Sequence, residues 1–180
     1  MGKELAVIFP GMGYHTDKPL LYYSKKIAAR KNYDVIEIDY DFDYEVHGAG
    51  KLKVFEDAYA RAYEIMQDVD LSQYERIVFI GKSIGTVVAA KYNQDYAVGA
   101  ELIVFTPVEK TFMYIFDSDC MVFHGSADPL CDTDMLINSC EEDGITYVVI
   151  PDANHSLETQ DVLRDIDNIH KVMEMVEKIL

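Results

Sequence analysis

The chain has 180 residues, of which 49% are hydrophobic, and it carries a formal net charge of −16. That length and apolar content predict one folded domain over residues 1–180 and exclude general disorder. The acidic charge favours solubility and makes nucleic acid a poor partner, because phosphate contacts need clustered lysines and arginines. No apolar run is long enough to cross a bilayer, so no membrane association is expected.

The N-terminal segment and the cysteines indicate in which cellular compartment the protein is expected. The apolar run at residues 5–9 is too short and too poorly flanked for a secretion signal. Three cysteines, Cys120, Cys131 and Cys140, form an odd set without the paired spacing of a metal site. These features predict a cytoplasmic protein with reduced thiols.

Short apolar runs alternate with helical segments along the whole chain. They predict strands near residues 5–9, 34–38, 77–80, 102–105, 120–124 and 146–150. Several are apolar on consecutive residues, as in strands that are buried on both faces. The alternation predicts an α/β fold, in which helices cover both faces of a parallel sheet and the crossovers are right-handed.

Two helical segments carry an apolar stripe at helical spacing. The first stripe consists of Phe55, Ala58, Tyr59, Ala62, Ile65, Met66 and Val69. The second consists of Leu163, Ile166, Ile169, Met173, Val176 and Leu180. Both are interpreted as core contacts rather than partner surfaces.

The most informative segment is Gly-Lys-Ser-Ile-Gly at residues 81–85, directly after the third predicted strand. A strand, a G-x-S-x-G turn and then a helix are the order that a nucleophile elbow requires. The glycines permit the tight turn, which lifts the hydroxyl of Ser83 to an exposed tip. The alternative is that Ser83 is only a small turn residue.

Ser83 needs a base, because a free serine hydroxyl is a weak nucleophile. His155, in the loop after the last predicted strand, is the candidate base, and a loop histidine bonded to backbone is the alternative. Asp128, after the fifth strand, is the candidate acid that orients the imidazole. It could instead cap the following helix, and Asp132 is then the alternative acid. Ligands of a parallel sheet bind at the carboxyl ends of strands, where all three residues lie.

The glycine-rich loop after the first strand is the candidate for the rest of the site. It lets backbone N–H groups approach a ligand, so we expect an oxyanion hole from the amides of Met12 and Ile84, with Gly13 as the competing donor. An ordinary glycine-rich turn is the alternative.

Four residues are candidates for the substrate pocket: Gly11, Tyr14, His15 and Lys82. Surface placement is an equal alternative for Tyr14 and His15, and a solvated side chain is the favoured interpretation of Lys82. The loop is no dinucleotide fingerprint, because Thr16 replaces the third glycine, and Arg76 replaces the first glycine of a phosphate loop.

The other histidines, His15, His47, His124 and His170, are scattered without metal-ligand spacing. His124 is interpreted as support for the end of the fifth strand. No metal site is therefore predicted.

The sequence resembles an α/β-hydrolase over essentially its whole length. The resemblance rests on residues 81–85, on Gly-Ser-Ala-Asp-Pro at 125–129 and on Asn-His-Ser-Leu at 154–157. It implies that Ser83 is the nucleophile, Asp128 the acid and His155 the base, with no metal or organic cofactor. Pro-Gly-Met-Gly at 10–13 takes the place of the family's oxyanion loop, without its common His-Gly pair.

The family's two N-terminal strands are missing here, which implies a minimal sheet of about six strands in the order 2-1-3-4-5-6. A lid domain usually enters after the strand that follows the nucleophile helix, where this chain has only residues 106–119. The resemblance is therefore to small lidless bacterial serine hydrolases with an open, shallow site.

The function implied is hydrolysis of a carboxylic ester or thioester of a small acyl substrate. An acyltransferase or amidase with the same three residues, and a non-catalytic binding protein on this scaffold, are the alternatives. Whether the chain forms a homo-oligomer is left open.

Overall fold

Strands and helices alternate along the chain. In this computed structural model, which describes residues 2–40, 50–116 and 118–180, the strands are β1 Lys3–Phe9, β2 Asp34–Glu37, β3 Tyr74–Lys82, β4 Glu101–Phe105, β5 Cys120–Gly125 and β6 Thr146–Ile150. The helices are α1 Pro19–Arg30, α2 Lys51–Met66, α3 Ile84–Asp95, α4 Thr133–Asp143 and α5 Val162–Ile179. Short 3₁₀ helices occupy Leu71–Gln73 and Glu109–Met113. The six predicted strands are confirmed, and β3 is longer than predicted.

The six strands form one parallel sheet in the order β2-β1-β3-β4-β5-β6, which confirms the predicted order. The register places Ala6 of β1 between Val35 of β2 and Val78 of β3. On the other side of β3, Ile80 pairs with Ile103 of β4. Parallel strands need crossovers, and the helices in those crossovers bury both faces of the sheet. This burial is the reason that the strands are apolar on consecutive residues.

Two hydrophobic cores lie on opposite faces of the sheet. One holds the buried faces of α2, α3 and α4, and the other holds those of α1 and α5. The predicted α/β/α sandwich is therefore confirmed. The apolar stripe of α2 packs into the first core, with Phe55, Ala58, Ala62 and Met66 buried, as predicted.

The C-terminal stripe is only partly in the core, which corrects the prediction for its first two members. Val176 is buried and Ile169 packs against the core, but Leu163 is 75% exposed and Ile166 is 57% exposed. The start of α5 is held by the loop before it, where Arg164 donates to a carboxylate oxygen of Asp152 at 3.0 Å. Helical spacing shows which face is apolar, but it does not show where the helix reaches the core.

The connection between β4 and β5 is short and packs against α3. It contains the 3₁₀ helix Glu109–Met113, and Thr111 Oγ1 lies 2.7 Å from Thr86 Oγ1 in the first turn of α3. Asp117 in this connection lies outside the described residues. A segment of this size leaves no room for a cap domain, in agreement with the lidless prediction.

Candidate active site

Ser83 stands between the last residue of β3 and the first residue of α3, in a backbone conformation that is rare for a residue with a side chain. Its φ is 56° and its ψ is −123°, outside the main allowed regions. Two backbone hydrogen bonds hold it there. The Ser83 N–H donates to the carbonyl of Phe105 at 3.0 Å, and the Thr86 N–H donates to the carbonyl of Ser83 at 2.9 Å. The turn is the sharp, strained elbow that residues 81–85 predicted.

Gly85 allows the first turn of α3 to lie directly against the loop after β1. A Cβ at this position would meet the carbonyl oxygen of Phe9 at 2.1 Å and that of Pro10 at 2.4 Å. Only glycine fits such an approach to backbone. Gly11 is close as well, because a Cβ there would lie 3.0 Å from Cβ of Ser83. The loop after β1 therefore adjoins Ser83, which keeps 9% of its surface exposed. Ser83 was expected at an exposed tip of the turn, but the residue is largely buried.

Ser83, His155 and Asp128 follow three different strands, and their side chains form one chain of hydrogen bonds. His155 Nε2 lies 2.8 Å from Ser83 Oγ, and His155 Nδ1 lies 2.7 Å from Asp128 Oδ2. A carboxylate can only accept, so Nδ1 carries a proton and Nε2 is free to accept the serine hydroxyl. We call this arrangement the Ser83–His155–Asp128 hydrogen-bond chain.

Asp128 is buried, and its second oxygen is also occupied. Oδ1 accepts the Leu130 N–H at 2.9 Å. Burial alone would raise the pKa of Asp128, but the hydrogen bonds from His155 and from the Leu130 amide hold the pKa below its ordinary value. The carboxylate therefore remains ionised beside the imidazole.

Asp132 has a different role from the one considered for it as an alternative acid. Its Oδ1 accepts the Met135 N–H at 2.9 Å, which makes it the N-cap of α4. Of the two candidate acids, the structure therefore brings Asp128 to His155 and uses Asp132 as the cap.

The loop that carries His155 is built around Asn154. The Asn154 side-chain oxygen accepts the Ser156 N–H at 2.7 Å, and its backbone N–H donates to the carbonyl of Glu158 at 2.8 Å. This loop is fastened to the loop of Asp128, because the Ala127 N–H donates to the carbonyl of Ala153 at 2.9 Å. These bonds set the spacing between the imidazole and its carboxylate.

His124 is a neighbour of Asp128 that sequence reasoning placed only at a strand end. The side chain is fully buried, with Nε2 2.9 Å from Thr133 Oγ1 and Nδ1 3.9 Å from Asp128 Oδ2. Burial lowers the pKa of His124 despite the nearby carboxylate, so the ring is neutral near pH 7. The only sequence feature that could have indicated this contact is that His124 precedes Asp128 by four residues.

The predicted oxyanion donors lie in two turns that meet at Ser83. Gly11 and Tyr14 exchange backbone hydrogen bonds of 3.0 and 3.2 Å, which leaves Met12 and Gly13 at the tip of a tight turn. Within the described residues, the amides of Met12, Gly13 and Ile84 donate to no backbone carbonyl. Met12 follows the residue that contacts Ser83, which favours it over Gly13. The oxyanion role of Met12 and Ile84 stays a prediction.

The predicted pocket residues separate into three groups. Gly11 adjoins Ser83, whereas His15 is exposed at the surface. Tyr14 is buried, and its hydroxyl accepts the Leu20 N–H at 3.2 Å. Lys82 is 1% exposed, so its interpretation as a solvated lysine is wrong. Its ammonium lies 5.0 Å from the centre of the Tyr14 ring. Sequence patterns assign a lysine to the surface and do not reveal a ring that covers it.

Two cavities, of about 320 and 190 Å³, include none of the three hydrogen-bonded residues in their walls. Exposed apolar side chains, Met12, Met113 and Leu130, stand on the loops that follow β1, β4 and β5. The loops at this edge of the sheet therefore present exposed apolar side chains.

Within residues 2–40, 50–116 and 118–180, no three His, Cys, Asp or Glu side chains are grouped to hold a metal ion. His47 lies outside the described residues. Across the same ranges, no helix has both the length and the apolar character needed to span a bilayer.

Comparison with solved structures gives the fold a name. An α/β serine hydrolase homologue from Coxiella burnetii superposes with a TM-score of 0.72 at 14% identity, over 99% of this chain and 85% of its own. A lidless α/β serine hydrolase from Xanthomonas campestris gives a TM-score of 0.69 at 17% identity, over 100% and 84%. The chain has the α/β-hydrolase fold. Est1E from Butyrivibrio proteoclasticus, at a TM-score of 0.68 and 12% identity over 99% and 87%, shares this fold.

Sequence similarity adds nothing to this fold assignment, because no family model and no curated protein matches the chain. In the α/β-hydrolase fold the nucleophile lies on a sharp turn between a strand and a helix, and here the turn at Ser83 follows β3, which has neighbours on both sides. The six-stranded sheet and the short β4–β5 connection make this a minimal, lidless version of the fold.

Proposed function

We propose that the protein is a serine hydrolase that cleaves a carboxylic ester or thioester of a small acyl substrate. The observation that carries the proposal is the Ser83–His155–Asp128 hydrogen-bond chain, with distances of 2.8 and 2.7 Å, on an elbow that holds Ser83 in a strained conformation. Fold alone does not establish an activity, so the proposal rests on this local geometry.

The first half of the reaction is acylation of Ser83. Ser83 Oγ attacks the substrate carbonyl carbon while its proton passes to His155 Nε2. The electron pair of the carbonyl moves to its oxygen, which the amides of Met12 and Ile84 would stabilise. When this intermediate collapses, the leaving alkoxide or thiolate takes the proton from Nε2 and the acyl group stays on Ser83.

The second half regenerates the enzyme. His155 takes a proton from water, and the resulting hydroxide attacks the acyl carbonyl. Collapse of the second intermediate returns the proton to Ser83 Oγ and releases the carboxylic acid. Asp128 stays ionised throughout, where it orients the ring and stabilises the imidazolium.

Two measurements test the proposal. Labelling with a fluorophosphonate probe, lost in Ser83→Ala, reports an activated serine. Hydrolysis of p-nitrophenyl esters and acyl-CoA thioesters then reports the substrate class. A feruloyl ester belongs in this panel, because one structure of Est1E holds ferulic acid. Failure of the folded protein to react with the probe would support a binding protein on this scaffold. Ester products formed with added alcohol would support acyl transfer.

Asp128→Asn is expected to lower kcat by about 10⁴-fold, because the amide no longer holds the imidazole in the reactive tautomer. Asp132→Asn is the matched control, since Asp132 caps α4 and Asn is also a good N-cap. We expect it to keep activity within about twofold. Steady-state kinetics on both variants checks the assignment, and a reversed order of sensitivity would contradict it.

Short acyl chains are expected to be the best substrates. The lidless edge and its exposed Met12 and Leu130 side chains bury few methylenes, and each buried methylene contributes only about 0.8 kcal/mol. Values of kcat/KM across esters from acetyl to dodecanoyl should peak between acetyl and butyryl, without activation at a lipid–water interface. A steady rise to the longest chain would instead indicate an acyl groove, formed by the loop after β1 or by a partner subunit.

A further inference from the structure

The loop that carries Asp128 is closed by a buried contact between the side chains at its two ends. His124 lies next to the last residue of β5, and Thr133 is the first residue of α4, so residues 125–132 run between them. His124 Nε2 lies 2.9 Å from Thr133 Oγ1, and the side chain of His124 is fully buried. The contact therefore fixes the distance that the loop has to span, and it has no role in the reaction as described so far.

The other ring nitrogen of His124 faces the carboxylate of Asp128. Nδ1 lies 3.9 Å from Oδ2, the same oxygen that His155 Nδ1 reaches at 2.7 Å. A separation of 3.9 Å is too long for a hydrogen bond, and within the described residues Nδ1 of His124 is buried without a hydrogen-bond partner. Such an atom destabilises a fold, and a phenylalanine would fill the space without that cost. Packing alone therefore does not account for a histidine here.

The charge of Asp128 decides which nitrogen of His124 carries the proton. Burial lowers the pKa of His124, so the ring is neutral near pH 7 and has one N–H and one lone pair. A lone pair on Nδ1 would be repelled by the carboxylate oxygen, whereas an N–H at that position is attracted to it. The proton therefore belongs on Nδ1, and Nε2 accepts a hydrogen bond from the hydroxyl of Thr133.

We propose that His124 is a positioning residue of the active site, which closes the loop through Thr133 and directs its Nδ1–H at Oδ2 of Asp128. Oδ1 is already held by the Leu130 N–H at 2.9 Å, so each carboxylate oxygen faces a donor of this loop or its ends. The carboxylate then presents Oδ2 to His155 in one orientation, as a precisely held catalytic group requires. The inference rests on the proposed function for its consequence in catalysis.

The first test determines the tautomer of His124 in the free wild-type protein and needs no enzymatic activity. Long-range ¹H–¹⁵N correlation NMR distinguishes a protonated ring nitrogen from a bare one, and backbone assignment identifies each histidine. We expect the proton of His124 on Nδ1 near pH 7. A proton on Nε2 would overturn the inference, whether or not the protein hydrolyses any ester.

The second test uses the same spectrum to follow the ring of His155 in two variants. His124→Phe keeps a ring in the space and removes both nitrogens, and Thr133→Val removes only the hydroxyl. In both, the ring nitrogen signals of His155 should shift, because the carboxylate that accepts its Nδ1–H loses its fixed orientation. Thr133→Ser, which keeps the hydroxyl, should restore the wild-type signals. His170→Phe, at an exposed position of α5, is the control and should leave them unchanged. Unshifted His155 signals in either folded variant would overturn the inference.

For the active enzyme, steady-state kinetics separates positioning from substrate binding. Because His124 is fully buried, it does not touch the substrate, and His124→Phe should keep KM within about twofold. Its kcat should fall by about 10- to 100-fold, the loss expected when catalytic groups are slightly misplaced. A wild-type kcat in His124→Phe would overturn the inference. A wild type without hydrolysis would contradict the proposed function instead, and the two NMR tests would still decide the role of His124.

Discussion

Ser83→Ala removes nearly all hydrolysis, with an expected loss on the order of 10⁶-fold in kcat, and leaves the fold intact. The reason is that no other hydroxyl occupies the elbow, where the serine proton reaches His155 Nε2 over 2.8 Å. His155→Ala should be about as damaging, because nucleophile and base act as a unit. The double variant should then be little worse than either single one.

The measurement is steady-state kinetics on the best substrate of the ester panel, with circular dichroism as the check of fold. Ser156→Ala is the matched control, since Ser156 lies next to His155 and its backbone N–H, which the substitution keeps, donates to Asn154 Oδ1. It should keep activity within about twofold. A folded Ser83→Ala that retains more than a tenth of the activity would exclude Ser83 as the nucleophile.

The main features of the fold and of the candidate site could be predicted from local sequence patterns. Strands buried on both faces are apolar on consecutive residues, and residues 81–85 match the strand, turn and helix order of a nucleophile elbow. Ser83, Asp128 and His155 each follow a strand, and parallel strands bring such positions to one edge. These signals depend on chain order and residue type alone.

The remaining features depend on contacts between distant segments. The residues alone left Asp132 as an alternative to Asp128, and the start of α4 at Thr133 makes Asp132 the cap. Burial of Lys82 follows from the turn that places Tyr14 over it. Exposure of Leu163 follows from where α5 meets the core. Periodicity and motif spacing do not show which distant segments of the chain contact each other.

The same buried lysine leads to a prediction on stability: Lys82→Met should make the protein more stable near neutral pH. Burial lowers the pKa of Lys82 from 10.5 to about 7 in the folded state. Between these two values the unfolded chain binds the proton and the folded chain does not. The free energy of unfolding therefore rises with pH from about 7 to about 10.5, and the cost of the buried amine is greatest below pH 7. Its size at that limit is on the order of 4 kcal/mol.

Urea unfolding of the wild type and Lys82→Met at several pH values measures this cost. The variant should be more stable by several kcal/mol near pH 6, and the difference should shrink as the pH rises from about 7 and level off only above about 10.5, where the wild-type amine is neutral in both states. Comparing the two proteins cancels the titration of the groups that do not interact with Lys82. Lys171→Met, at an exposed position of α5, is the control and should show no such pH-dependent difference. A Lys82→Met protein that is less stable than the wild type at every pH would mean that the ammonium gains more from Tyr14, Asp128 and Glu158 than it loses by burial.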